Sequence, residues 1–123
     1  MAKLEKPYDL GERTYQFAQR CRHWVKKIPR SLANIEDGKQ LVRSSGSVAA
    51  NYIEANEALS RKDFVMRIKI SRKEAKESHL WLRLCDIGPD PQVITERQAL
   101  LGEAMELGKI FGAIIEKSRG PQV

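Results

Sequence analysis

Glu74 and Glu77 stand three residues apart, a spacing that places two carboxylates on one face of a helix and could in principle support acid–base work. No third group follows them in sequence to complete a site. The two histidines, His23 and His79, test the chain for a bundle-type di-iron centre, which needs Glu-x-x-His pairs. The positions three before them hold Arg20 and Lys76, so no metal is expected, and both histidines read as surface or boundary residues. Ser44-Ser45-Gly46-Ser47 has the look of a nucleophile loop but falls inside a helical pattern. No Gly-x-Gly-x-x-Gly or phosphate-loop pattern occurs. The expectation is a protein that is not an enzyme and carries no cofactor. Cys21 and Cys85 both lie on apolar rows, which reads as two buried, reduced thiols.

Charge is the stronger chemical signal. The formal net charge is +6, and it is unevenly spread. Arg13 to Arg30 holds six basic residues and no acid; Arg61 to Arg83 holds eight against Asp63, Glu74 and Glu77. Arg13, Arg20 and Lys27 recur every seven residues, as do Lys62, Lys69, Lys76 and Arg83, with Lys73 beside the second row. Each set projects as a line along one helix, off its apolar seam. Such lines suit a phosphate backbone, where every neutralised phosphate releases counterions. They equally suit a solvated outer face or an acidic protein partner. Tyr8 and Tyr15 are a thin supply of stacking aromatics, so base-specific reading is not expected.

The elements that must carry these rows are four helices, expected over about 9–28, 34–59, 61–87 and 92–118. Asp9 with Glu12, and Ser60 with Asp63, are capping signals; Pro29, Gly88-Pro89-Asp90-Pro91 and Gly120-Pro121 are stops. The first seam reads Leu10, Thr14, Phe17, Cys21, Trp24, Ile28, and the second Leu41, Ser45, Val48, Tyr52, Ala55, Leu59, widened by Val42, Ala49 and Ile53. The third reads Phe64, Ile68, Ser71, Ala75, Ser78, Leu82, Cys85, and the fourth Ile94, Leu101, Ala104, Gly108, Phe111, Ile115. Spacing of three and four residues with short connections predicts one all-α domain over residues 1–123, an up-down antiparallel left-handed four-helix bundle. In that topology the first and third helices are diagonal, so their basic rows do not form one groove within a monomer.

Two helices carry a second row, about 100° from the core row. It reads Ser44, Ser47, Asn51, Glu54 on the second helix and Ile70, Glu74, Glu77, Trp81, Leu84 on the third. Three readings fit: a polar network, with Asn51 and Glu54 meeting Glu77, a subunit interface anchored by Trp81, or solvated carboxylates beside a partly exposed Trp81.

Gln40-Leu41-Val42-Arg43-Ser44, Ser47-Val48-Ala49-Ala50-Asn51-Tyr52-Ile53-Glu54-Ala55, Asp63-Phe64 and Lys73-Glu74-Ala75-Lys76-Glu77-Ser78-His79-Leu80-Trp81-Leu82-Arg83-Leu84 together resemble the signature of the 23S ribosomal RNA intervening-sequence proteins. The resemblance covers residues 37–86 well and Glu106-Leu107-Gly108-Lys109-Ile110 more loosely; Gly46 and Ala55 depart from it. It implies a homo-oligomeric bundle, with pentameric rings among such proteins, and kinship with the accessory protein of diversity-generating retroelements, which binds nucleic acid and a reverse transcriptase. Ser44, Ser47, Asn51, Glu54, Glu74, Glu77 and Trp81 match the signature, and no catalytic residue comes with them.

The combined expectation is a homo-oligomer, a pentamer, binding RNA or DNA through Arg13, Arg20, Lys27, Lys62, Lys69, Lys73, Lys76 and Arg83. The alternative is a protein-interaction scaffold. No apolar run reaches the ~20 residues that span a bilayer, and Met1–Pro7 lacks an apolar signal core, so a cytoplasmic location without membrane contact is expected.

Overall fold

The computed structural model describes residues 9–119. Four helices follow one another: α1 (Leu10–Val25), α2 (Leu32–Asn56), α3 (Arg61–Leu84) and α4 (Pro91–Ser118). Each packs on its neighbours in sequence, and α1 closes the ring against α4, while the backbones of the diagonal pairs stay apart. This is the up-down, left-handed all-α bundle that the seams predict. The stop at Gly120-Pro121 and Tyr8 lie outside the described residues.

Each helix begins at a side chain that satisfies an otherwise unpaired amide. Asp9 accepts from the Glu12 N–H and Ser60 from the Asp63 N–H, both at 3.1 Å. Ser31 caps α2 through the Asn34 N–H at 3.1 Å, and Asp90 caps α4 with Pro91 in its first turn. The helix ends differ from expectation by a few residues. α1 stops at Val25, because Ile28 precedes a proline that disfavours helical backbone and donates no N–H. α3 stops at Leu84, since Cys85 turns extended and the Asp86 N–H is taken by the Asn34 side chain at 2.9 Å. α2 stops at Asn56, and Leu59, expected in the core, projects from the following turn fully exposed.

Phe17, Trp24, Leu41, Ile68, Leu82, Leu100, Phe111 and Ile115 form the centre of the core. Each large side chain so buried contributes about 1.5–3 kcal/mol by leaving water. The first three seams run as expected, apart from Leu59 and from Ile53, which is mostly exposed. The fourth is displaced by one residue at three of its six positions. Val93, Leu100 and Leu107 face inward, while Ile94, Leu101 and Gly108 lie beside them toward α3. The Trp24 indole N–H, donated to the Val93 carbonyl at 3.0 Å, holds α4 in this rotation.

The α2–α3 seam is built from small residues. The Ser44 and Ser78 hydroxyls meet at 2.8 Å, and the Ser71 hydroxyl donates to the Val48 carbonyl at 3.0 Å. Buried hydroxyls so paired let the helices approach without leaving a polar atom unsatisfied. Gly46 has its packing reason on the other side of α2. An added Cβ there would sit 3.1 Å from the Arg22 guanidinium, which lies across the helix.

Candidate functional site

The structure separates the two basic rows chemically. On α1, Arg13 grips Glu103 of α4 at two points, Nε to Oε2 at 2.7 Å and Nη2 to Oε1 at 3.0 Å. This hydrogen bonding raises the Arg13 pKa further above its usual range. Arg20 donates to Glu96 at 3.1 Å, about two turns further along the same interface. Both guanidiniums therefore tie α1 to α4, and of this row only Lys27 is exposed without an ion pair among the described residues.

On α3, Lys62, Lys69, Lys73, Lys76 and Arg83 are all exposed, and none forms an ion pair among the described residues. Lys62 to Arg83 spans about 30 Å at 1.5 Å per residue. Because α1 and α3 are diagonal, Lys27 lies apart from this line.

The second stripe splits into three environments. Ser44 is fully buried against Ser78. Arg43, whose role the spacing does not reveal, reaches across from α2 to Glu77 at 3.4 Å and to Glu74 at 3.6 Å. Asn51 donates to the Ser47 hydroxyl at 2.9 Å and accepts from Arg67 at 3.0 Å. The expected meeting of Asn51 and Glu54 with Glu77 does not occur. Arg43 and Arg67 take those carboxylate and amide positions, and Glu54 points to solvent. Glu74 is 94% buried yet its Oε1 accepts no hydrogen bond, and the half-buried Trp81 indole N–H has no partner among the described residues. Met66 and Leu84 lie exposed on the same side of α3.

His23 is exposed and His79 half-buried, and among the described residues no group of three or more metal-capable side chains comes together. Cys21 and Cys85 are free and buried; burial pushes Cys21 up to about 12 and Cys85 up to about 11. Such thiols are poor nucleophiles and poor ligands. Among the described residues no helix is long and apolar enough to cross a membrane.

Sequence reasoning missed the acceptors of Arg13 and Arg20, because they lie on another helix at no fixed spacing. It also missed Asn34, whose amide donates to the Pro29 and Asp86 carbonyls, both at 2.8 Å, and latches two loops at one end of the bundle.

The structure resembles the crystal structure of a protein of unknown function from the S23 ribosomal protein family of Bacteroides thetaiotaomicron. The TM-score is 0.68 at 28% identity, covering 86% of this chain and 97% of that one. No curated protein matches the chain. The family model described as 23S rRNA-intervening sequence protein matches residues 7–112. With the signature residues standing on α2 and α3 of a four-helix bundle, the chain belongs to the 23S rRNA-intervening sequence protein family.

Proposed function

We propose that the protein is a non-enzymatic homo-oligomeric bundle, a pentamer, that binds RNA or DNA without sequence preference through the basic face of α3. The observation that carries this reading is the contrast between the two rows. Arg13 and Arg20 are engaged by Glu103 and Glu96, whereas Lys62, Lys69, Lys73, Lys76 and Arg83 stand exposed without carboxylate partners among the described residues. A row of unneutralised cations along one helix attracts phosphates at no cost of breaking internal ion pairs. The absence of a stacking aromatic in this row favours backbone contact over base reading.

One α3 row offers few phosphate contacts, so assembly matters. The α2–α3 flank supports self-association. It combines the Trp81 indole N–H, without a hydrogen-bond partner among the described residues, with exposed Met66 and Leu84. Trp is a frequent anchor of such interfaces. A ring built on this flank repeats the α3 row around its circumference. Mass determination by light scattering tests the assembly: the wild-type chain should run as an oligomer and Trp81→Ala as smaller species. A wild-type monomer at micromolar concentration would remove the ring from the reading.

A further inference from the structure

Between α3 and α4 runs an open groove of about 450 Å³, lined by Arg72, Ala75, Lys76 and His79 from α3 and by Ala104, Met105, Gly108, Lys109 and Gly112 from α4. Its composition is uneven in a specific way. The floor is apolar and small: Ala104, Gly108 and Gly112 recur every four residues along α4, opposite Ala75. An added Cβ on Gly108 would meet no atom within 4 Å, and one on Gly112 would meet only the Arg72 guanidinium at 3.8 Å. Among the described residues no side chain fills the floor, so another element can come close to the α4 backbone. The rim is cationic on both sides, with Arg72 and Lys76 on α3 and Lys109 on α4, and no carboxylate of the described residues lines it. Lys109 has Glu106 at 3.9 Å, on the flank away from the groove; Arg72 and Lys76 have no ion pair among the described residues. Met105, 54% exposed, adds a flexible apolar contact at the edge.

We propose that this groove docks an acidic amphipathic helix of a partner protein, with its apolar stripe on the Ala104–Gly108–Gly112 track and its carboxylates against Arg72, Lys76 and Lys109. A phosphate backbone uses the cations of the rim and has no use for an apolar floor. A helix uses both. Small residues at every fourth position form a track into which a neighbouring helix ridge fits at close range. Cations on both banks fix the sign of the charges that must flank that ridge. The inference goes beyond nucleic-acid binding, although the two partners share part of the rim.

Fluorescence anisotropy with the full chain tests it. The probes are three labelled peptides of about 15 residues, long enough for a marginal helix, with an Ala, Leu or Met stripe flanked by Glu. A charge-matched oligoglutamate and a labelled RNA hairpin serve as comparisons. Gly108→Leu fills the floor into open space and replaces glycine by a better helix former, so the variant should fold. At least one amphipathic peptide should bind more tightly than oligoglutamate, and Gly108→Leu should weaken it by at least about tenfold. RNA binding by Gly108→Leu should stay unchanged. The inference is overturned if no peptide binds, if oligoglutamate binds as well, or if Gly108→Leu leaves peptide binding intact. Loss of RNA binding in Gly108→Leu would assign the groove to nucleic acid instead. Peptide binding with no RNA binding would sustain the groove and remove the nucleic-acid reading.

Discussion

Arg13 of α1 holds Glu103 of α4 in a two-point ion pair at 2.7 and 3.0 Å, with the carboxylate only 17% exposed. The α1 and α4 backbones stand furthest apart of the four neighbouring pairs, so this pair and Arg20–Glu96 clasp the outer edge of a seam filled by large side chains such as Trp24. The geometry makes Arg13 a structural residue. Arg13→Ala should lower stability by about 1 kcal/mol, the upper range for a partly exposed pair with bidentate geometry. A double-mutant cycle with Glu103→Gln by chemical denaturation checks this; a coupling indistinguishable from zero would contradict it.

Asn34 is 4% exposed and makes three hydrogen bonds, to the Pro29 carbonyl and to both backbone groups of Asp86. It joins the α1–α2 loop to the chain leaving α3. Asn34→Ala leaves these backbone groups without that partner and should cost about 2–4 kcal/mol. Denaturant midpoints measure the loss. Asn34→Asp, which sets a buried carboxylate oxygen against the Pro29 and Asp86 carbonyls, should cost at least as much as Ala.

The thiols make stability depend on alkaline pH. In the unfolded chain a cysteine ionises near about 8.5, whereas in the fold burial holds Cys21 at about 12 and Cys85 at about 11. Below the unfolded value both states are protonated and the full contribution is present. As pH rises from there toward the folded values, the unfolded chain releases protons that the folded chain keeps, so stability falls. Thermal melts at pH 7 and pH 10 should show the decline, and a Cys21→Ala, Cys85→Ala double variant should show a smaller one. An aromatic disulfide reagent should label neither thiol in the native protein and both after denaturation.

The first three seams were legible because the rows beside them on α2 and α3 are interrupted by amide and acidic side chains, Asn51 and Glu54 on α2 and Glu74 and Glu77 on α3. Leu10, Phe17, Cys21 and Trp24 have mostly polar neighbours on either side. The fourth was not, because Val93-Ile94 and Leu100-Leu101 present two adjacent apolar rows. The choice between them is made by the packing of α4 on helices remote in sequence, which includes the Trp24 hydrogen bond to the Val93 carbonyl. The same limit explains the basic rows. Seven-residue spacing placed Arg13 and Lys69 equally well on outer faces, but only the packing of α4 on α1 brings Glu103 to Arg13. The signature residues on α2 and α3 were found as a stripe, yet the identities of their partners, Arg43 and Arg67, came only with the seam assembled.

The contrast between the rows is tested most directly by RNA binding across a salt series. Wild type should be compared with Lys69→Glu, Lys76→Glu on α3 and with Arg13→Ala, Arg20→Ala on α1, each at matched oligomeric state. Wild-type affinity should fall steeply as salt rises. The α3 variant should lose binding and flatten the salt slope, while the α1 variant should bind as wild type does despite its lower stability. RNA affinity unaffected by the α3 reversal, or lost equally in the α1 variant, would contradict the assignment of α3 as the nucleic-acid face.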